Sequence, residues 1–495
     1  MVKSYSFSQN TLFLLVSYAL EKVLIFFYFI FLARYLGPEE FGVYSFGISF
    51  IGIFFVFVDL GFSTVLIREA AKNKDKAINY LENAVTFKLI AAITTSLFVV
   101  LTINLLGYPV LTRSFVYLLI FWMFFESLGS TIYAFFRSQQ NLRYEAIGFF
   151  LNKLIMIALG FVFIFLKLPL VYFAVPLVLG GIFYFFHPAI IVKKFSRLKL
   201  KIDKKIIKFF FKIALPILFG GIFATVFISI NTVLVSFLHS DLAAGLFSAA
   251  FRIPMALLFL PGALGASIFP VFSSLVQTNK EKLAVIFEKV VFYMIFISLP
   301  LMVGGFILSF QIIALIYGSE FIGSVIPFIF LISVIPFLFL DYLFSSLLTA
   351  LNKQKENAIF RGIGLFVNIV LCFLMIPRLA QTGGAISFSV GFLFFSILQL
   401  SIILRLVPIN FSRIIKKTGL VLTSVLIMGI VIFVIRDQIA LPFSLIVGTV
   451  VYGFGLYLFG AIKKSDLNEI KLLIRSSFKK EEVVKIIEKI EESKA

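Results

Sequence analysis

The sequence predicts an all-α membrane protein of about fourteen transmembrane helices, built as two six-helix pseudo-repeats followed by two C-terminal helices. Three observations predict it: the composition, the alternation of charge between successive loops, and internal echoes a little over 200 residues apart. Of 495 residues, 61% are hydrophobic and 14% charged, with a mean hydropathy of +1.10. Soluble domains average roughly 45–50% and 25%. A bilayer core about 30 Å thick takes some 20 apolar residues per helix, and such runs recur here between short polar breaks.

Taken in order, the first run, Thr11 to Leu32, is too long for a signal-peptide core, lacks a small-residue cleavage site and ends at Arg34. It is read as the first span, 11–35. Gly37-Pro38 supplies a tight turn before 42–63, and polar breaks then delimit 84–106, 114–136, 146–166 and 170–191. The longest internal loop, His187 to Lys208, carries VKKFSRLKLKIDKKIIK and divides the chain after span six. Six further spans follow at 209–238, 242–272, 286–310, 321–350, 358–376 and 383–407, and two more at 418–435 and 440–462. The predicted units are a first bundle over 1–195, a basic cytoplasmic linker over 196–208, a second bundle over 209–407, the appended pair over 408–462, and a basic cytoplasmic tail over 463–495. The tail, with EEVVKIIEKIEESKA, reads as an amphipathic helix near anionic headgroups or as a solvated segment.

A formal net charge of +20 raises the question of a nucleic-acid partner, and the location of the charges answers it. They sit in loops. Counted in or beside alternate loops, Lys and Arg divide thirty-four to five, the five being Arg34, Arg113, Lys167, Arg378 and Arg436. Positive loops mark the cytoplasmic side, so both termini are predicted in the cytoplasm of a multi-pass cell-membrane protein. The lone Cys372 excludes an intramolecular disulfide.

The halves echo one another. RYLGPEEFGVYSF parallels SFLHSDLAAGLFSAAF at a spacing of about 203, as Leu60-Gly61 parallels Leu264-Gly265, and YAFFRSQQNLRYEAI matches LLTALNKQKENAI at about 212. Duplicated bundles that rock about a midplane site are the architecture of secondary transporters.

The predicted outward loops are only a few residues long, so function must lie among the helices, where an ionisable side chain near the bilayer centre costs at least roughly 2.5–3.5 kcal/mol unless it meets a partner or a cavity. Lys22 lies eleven residues into span one and Arg252 ten into span eight, each about 15 Å deep at 1.5 Å per residue. Glu21 points about 100° away from Lys22, so no intrahelical pair is expected. A guanidinium suits bidentate phosphate contact; the alternative is pairing of Arg252 with Glu126 or Asp341. Lys153 and Glu126 join the candidate cavity. Asp59, Asp341 and Asn231 are candidate gating or coupling positions, and Pro216, Pro254 and Pro261 candidate helix breaks. Lys88, near a cytoplasmic helix end, is expected to snorkel. Gly220, Gly221 and Gly265 are expected to allow close helix approach. His187 and His239, at opposite faces, form no common metal site. No phosphate-binding loop, paired-carboxylate spacing or nucleophile elbow occurs, so neither catalytic residues nor cofactors are expected. Most of the 67 Phe and 17 Tyr are expected to face lipid or pack.

At RYLGPEEFGVYSF, FVDLGFSTVLIREAA, ALPILFGG and FLPGALGASIFPVFSSL the chain resembles the Wzx-type polysaccharide flippases of the multidrug/oligosaccharidyl-lipid/polysaccharide exporter superfamily. The resemblance covers all fourteen spans. It implies movement of an undecaprenyl- or dolichyl-linked oligosaccharide to the outer leaflet by alternating access, with basic residues of spans one and eight, here Lys22 and Arg252, lining a cationic cavity. Where such flippases often carry Asp in span seven, this chain has Asn231. Lipid-linked sugar, membrane lipids and polysaccharide-assembly proteins such as glycosyltransferases are the partners this reading admits; nucleic acid is not. A multidrug cation antiporter of the same superfamily is the alternative, although it favours acidic cavities, and a glycan polymerase needs a long outer loop that is missing here.

Overall fold

Helices make up the regular structure of the computed structural model, which describes residues 7–460 except 195 and 197. Side chains are described from Glu21 onward, apart from residues 216, 217, 219, 263, 266, 267, 411 and 413. The helices are α1 (Phe7–Asp59), α2 (Phe62–Lys72), α3 (Ala77–Leu105), α4 (Val110–Ser138), α5 (Arg143–Phe165), α6 (Ala174–Lys193), α7 (Lys204–Leu238) and α8 (Asp241–Leu257). They continue with α9 (Phe259–Thr278), α10 (Lys280–Ile307), α11 (Ser309–Tyr317), α12 (Val325–Ser333), α13 (Ile335–Ala350), α14 (Gln354–Leu406), α15 (Phe411–Ile435) and α16 (Leu441–Leu458). The predicted tail over 463–495 lies outside the described residues.

Among the described residues eleven helices are long and apolar enough to cross a membrane, or twelve if the pair Ser319–Ser333 and Ile335–Ala350, bent by 40°, is one span. Two of them, Glu21–Lys72 and Gln354–Leu406, run to 52 and 53 residues, about 78 Å at 1.5 Å per residue and more than twice a bilayer core. Each is interrupted. Gly37 in α1 adopts φ 70, ψ 172, and Ala380 in α14 adopts φ 48, ψ −128. The left-handed region is open to glycine without penalty, and Pro38 lacks the amide that a continuing helix would use.

The proline expectations resolve unevenly. α7 runs through Pro216 without a break, a correction to the reading of Pro216 as helix-breaking: one lost backbone bond does not end a helix whose other turns stay intact. The interruption near the other two falls at Leu258, between Pro254 inside α8 and Pro261 at the start of α9. Pro261 has no amide for the Leu257 carbonyl, and backbone bonding resumes with the Gly262 amide on Leu258 O at 3.2 Å.

The repeat is written into the backbone. Left-handed residues recur in pairs: Gly107 and Gly318, Gln140 and Asn352, Lys167 and Ala380, 211 to 213 residues apart. The earlier echo appears as a reciprocal crossing of α1 and α8. A Cβ on Gly42 would lie 1.8 Å from Asp241 O, and one on Gly245 would lie 1.8 Å from Pro38 O. Both partners are related by 203 positions. Among the described residues the glycines expected to allow close approach meet ordinary contacts or none: Gly221 has nothing within 4 Å, Gly220 Ala358 Cβ at 3.9 Å, and Gly265 Tyr342 Cβ at 3.6 Å and Tyr342 O at 3.7 Å. Glycine in an apolar run marks close packing only where another backbone arrives.

The chain folds as two compact units. The first comprises residues up to Ala256 with Ile316–Pro327 and Lys355–Gly391; the second comprises Leu257–Leu315, Phe328–Gln354 and the residues from Phe392 onward. A core of the first unit gathers Phe62, Leu66, Ile132, Tyr133 and Phe210. The second unit has two cores, one around Phe272, Phe287 and Phe344 and one around Val421, Met428 and Tyr452. Outward-facing apolar side chains such as Leu97, Phe165, Phe366 and Tyr457 are more than half exposed, the surface a bilayer covers.

Candidate functional site

The first unit places Arg252 of α8 against the aromatic residues of α1. Its guanidinium carbon stands 3.5 Å from the centroid of the Phe29 ring and 5.4 Å from that of Phe41, within the range of cation–π attraction. Its Nε is enclosed and has no hydrogen-bond partner, while the residue as a whole retains some accessible surface. Among the described residues no carboxylate pairs with it. The two acids that the sequence left open as partners are engaged elsewhere. Glu126 takes Lys153 at 3.6 Å and the Asn152 amide at 3.1 Å; Asp341 accepts from Ser345 at 2.9 Å and Gln399 at 3.0 Å.

Lys22 lies two turns before Phe29 on α1, about 10 Å along the axis and about 20° around it. It therefore shares the face that meets Arg252, and its side chain is 64% exposed. The lipid-type stripe of α1 is a different face, carrying Val23, Phe27 and Phe31, each just over half exposed. Against expectation, Lys22 also pairs with Glu21, Nζ to Oε2 3.8 Å, with Glu21 buried. Their Cβ atoms diverge as anticipated, but two long flexible side chains close the gap.

Lys153 and Glu126 are thus brought together with each other, across α5 and α4, with no contact to Arg252 recorded among the described residues. Lys88 requires a correction: it is fully buried and forms an ion pair with Asp59, its ammonium also donating to Ser63 Oγ at 2.9 Å, while Ser63 donates to Asp59 at 2.6 Å. Leu60 and Gly61, both left-handed, turn the chain so that Asp59 at the end of α1 and Ser63 at the start of α2 face one ammonium. A satisfied partner removes the need to snorkel.

Asn231 on α7 and Asn368 on α14 exchange amide hydrogen bonds of 3.0 and 2.8 Å, and Asn231 donates again to Gly384 O at 3.0 Å. Both side chains are fully buried. An amide carries no proton charge over the physiological range, so Asn231→Ala is expected to leave the pH profile of transport unchanged. It should lower thermal stability by about 1–3 kcal/mol, because Asn368 loses its partner; a displaced pH optimum in a liposome assay would contradict this assignment. Where α1 crosses α8, the Ser236 hydroxyl donates to Asp241 at 2.5 Å and lies 3.1 Å from Tyr108 Oη. Tyr108 stacks on Phe46 at 4.4 Å.

Sequence reasoning did not single out Phe29, Tyr44, Tyr317 or Asn368. For the aromatics no signal separates a cage wall from the many packing rings. Asn368 was detectable as an amide within an apolar run.

The model of the family described as polysaccharide biosynthesis protein matches residues 7–276. The capsular polysaccharide biosynthesis protein CapF of Staphylococcus aureus is 23% identical over 365 residues, covering 72% of this chain and 88% of that one. A probable lipid II flippase MurJ of Helicobacter pylori is 27% identical over 227 residues, 42% of this chain and 46% of that protein. Among solved structures, a lipid II flippase MurJ in an inward closed conformation superposes with a TM-score of 0.73 at 19% identity, over 91% of this chain and 98% of that one, which identifies the fold. With more than half its length matched by the family model, the chain belongs to the polysaccharide biosynthesis protein family of multi-pass membrane proteins.

Proposed function

We propose that this protein carries a polyprenyl-(pyro)phosphate-linked oligosaccharide from the cytoplasmic to the outer leaflet by alternating access, in polysaccharide biosynthesis or export. The observation that carries the reading is Arg252, a cation deep in the first unit with aromatic walls and no acidic partner among the described residues. A desolvated cation of that kind is stabilised by an anion brought from outside. A lipid phosphate at the membrane midplane is such an anion, and Lys22 on the same face of α1 supplies a second charge about 10 Å away along the helix. The names of the relatives, a capsular polysaccharide protein and a lipid II flippase, support a lipid-linked sugar as cargo. A cation extruder favours acidic residues in its cavity, and an unpaired guanidinium repels a cationic cargo. In proteoliposomes the purified protein should flip a lipid-linked oligosaccharide and fail to move an organic cation; the reverse result would assign it to the multidrug branch.

Fourteen crossings follow if α1 and α14 each cross twice, on either side of Gly37 and Ala380. With both termini cytoplasmic, as the thirty-four to five division of Lys and Arg supports, a cysteine placed at Ser240 is labelled by an impermeant thiol reagent in intact cells and one at Ser196 is not. Labelling of Ser196→Cys from outside would invert the topology. The six-plus-six-plus-two division at 195, 209 and 407 belongs to the same proposal.

A further inference from the structure

Among the described residues three enclosed polar atoms around Arg252 make no hydrogen bond of good geometry: its own Nε and the hydroxyls of Tyr44 and Tyr317; the Tyr28 hydroxyl stands beside that of Tyr44, whose own hydrogen remains free to donate. These two phenols and that of Tyr28 lie near enough to feel the guanidinium charge, and Tyr44 and Tyr317 are almost wholly buried, at 0% and 2% exposure. Their rings are pinned. Tyr44 packs 5.5 Å from Phe115 and 6.0 Å from Phe29; Tyr317 packs 5.4 Å from Phe321, itself 6.0 Å from Phe41. Arginine is a donor only, and each phenol has a hydrogen to give. A buried donor with nothing to accept its hydrogen bears its desolvation cost uncompensated. Two such phenols beside the unpartnered Nε of a cation that meets no carboxylate among the described residues point to an acceptor that arrives from outside, carries negative charge and has several oxygens.

We propose that the Tyr44 and Tyr317 hydroxyls, beside Arg252, donate to the diphosphate of the carried lipid and set a preference for diphosphate over monophosphate. The inference rests on Arg252 as the anion site of the proposed function. The guanidinium fork engages two oxygens of one tetrahedral group. A diphosphate brings a second group, whose oxygens extend past the fork and take the phenolic hydrogens. Because a phenol is a neutral donor, it discriminates by the number and reach of oxygens more than by charge. Phe29 and Phe41 hold the guanidinium plane without neutralising it, so its charge stays available to the ligand.

The test uses the full-length protein in detergent, with Tyr44→Phe, Tyr317→Phe and Arg252→Ala, and follows the melting temperature against inorganic pyrophosphate, inorganic phosphate and a short polyprenyl diphosphate. Each Tyr→Phe change should weaken diphosphate affinity about tenfold and shift monophosphate affinity much less. The ligand-free melting temperature should hold or rise, because an unpartnered buried hydroxyl has been removed while the ring still packs. Binding of the polyprenyl compound alone, weakened in the same way, supports the site and shows that the lipid chain is needed for capture; equal effects on inorganic pyrophosphate show that the headgroup suffices. Wild-type diphosphate affinity in both Phe variants, with Arg252→Ala defective, overturns the phenol role and leaves the proposed function standing. Wild-type affinity in Arg252→Ala, or no anion binding by the unmodified protein, removes the anion site itself.

Discussion

Replacing Arg252 with alanine abolishes flipping of lipid-linked sugar while the folded protein still accumulates in the membrane. The expectation follows from the side chain's surroundings: a guanidinium stacked on Phe29, with no acidic partner among the described residues, contributes little to folding and bears a desolvation cost in the ground state. Charge-assisted bonds are worth about 1.5–3 kcal/mol each, so losing a bidentate contact should reduce turnover at least a hundredfold. Arg252→Lys keeps charge but loses the planar fork and the ring stacking, and should retain a few per cent of activity. A second readout separates binding from architecture. With the interior negative, outward movement of an anionic headgroup gains about 2.3 kcal/mol per charge per 100 mV, so the wild-type rate should rise with an imposed potential. Wild-type flipping by the alanine variant, measured in proteoliposomes, would make Arg252 a structural residue.

Adding a single methyl group at Gly42 or Gly245 should open the crossing of α1 and α8. In each case the new Cβ would meet a backbone carbonyl at 1.8 Å, and backbone does not rotate aside as a long side chain does. The helices must part, which also pulls on the Ser236–Asp241 bond and on the bond from the Ser324 hydroxyl to Leu246 O at 2.7 Å. The packed crossing loses roughly 1–3 kcal/mol, which raises the population with the helices parted about five- to a hundredfold. A cysteine at Ser248, which is buried, reports the change: in the Gly42→Ala background its labelling by an impermeant thiol reagent should accelerate about tenfold as flipping falls. The same substitution at Gly221, which meets nothing within 4 Å among the described residues, should do neither. Unchanged labelling of Ser248→Cys in both crossing variants would mean that this contact does not hold the two helices together.

Much of this molecule was legible before any coordinate was known, and the reason is the solvent. A bilayer demands long apolar helices and confines charge to their ends, so composition and the distribution of Lys and Arg predicted a multi-span helical protein. The echoes at 203 and 212 paired the segments that carry Gly42 and Gly245 and those that carry Gln140 and Asn352; that the first two meet, and that the second two are left-handed, the coordinates added. Depth along a helix, which is arithmetic, selected Lys22 and Arg252.

Tertiary structure alone decided which charges are satisfied and which are not. Depth separated Lys88 from Arg252 in sequence but not their partners: Lys88 meets Asp59 and Ser63 across a break between α1 and α2, whereas Arg252 meets rings. Lys153 and Glu126 were sorted with Arg252 by depth, and packing pairs them with each other. Asn231 was read as one amide, and its partner stands 137 positions away on α14. Spacing along one helix specifies depth and face, but an ion pair or a cage depends on the rotation of neighbouring helices and on side-chain reach, set by packing among residues far apart in the chain.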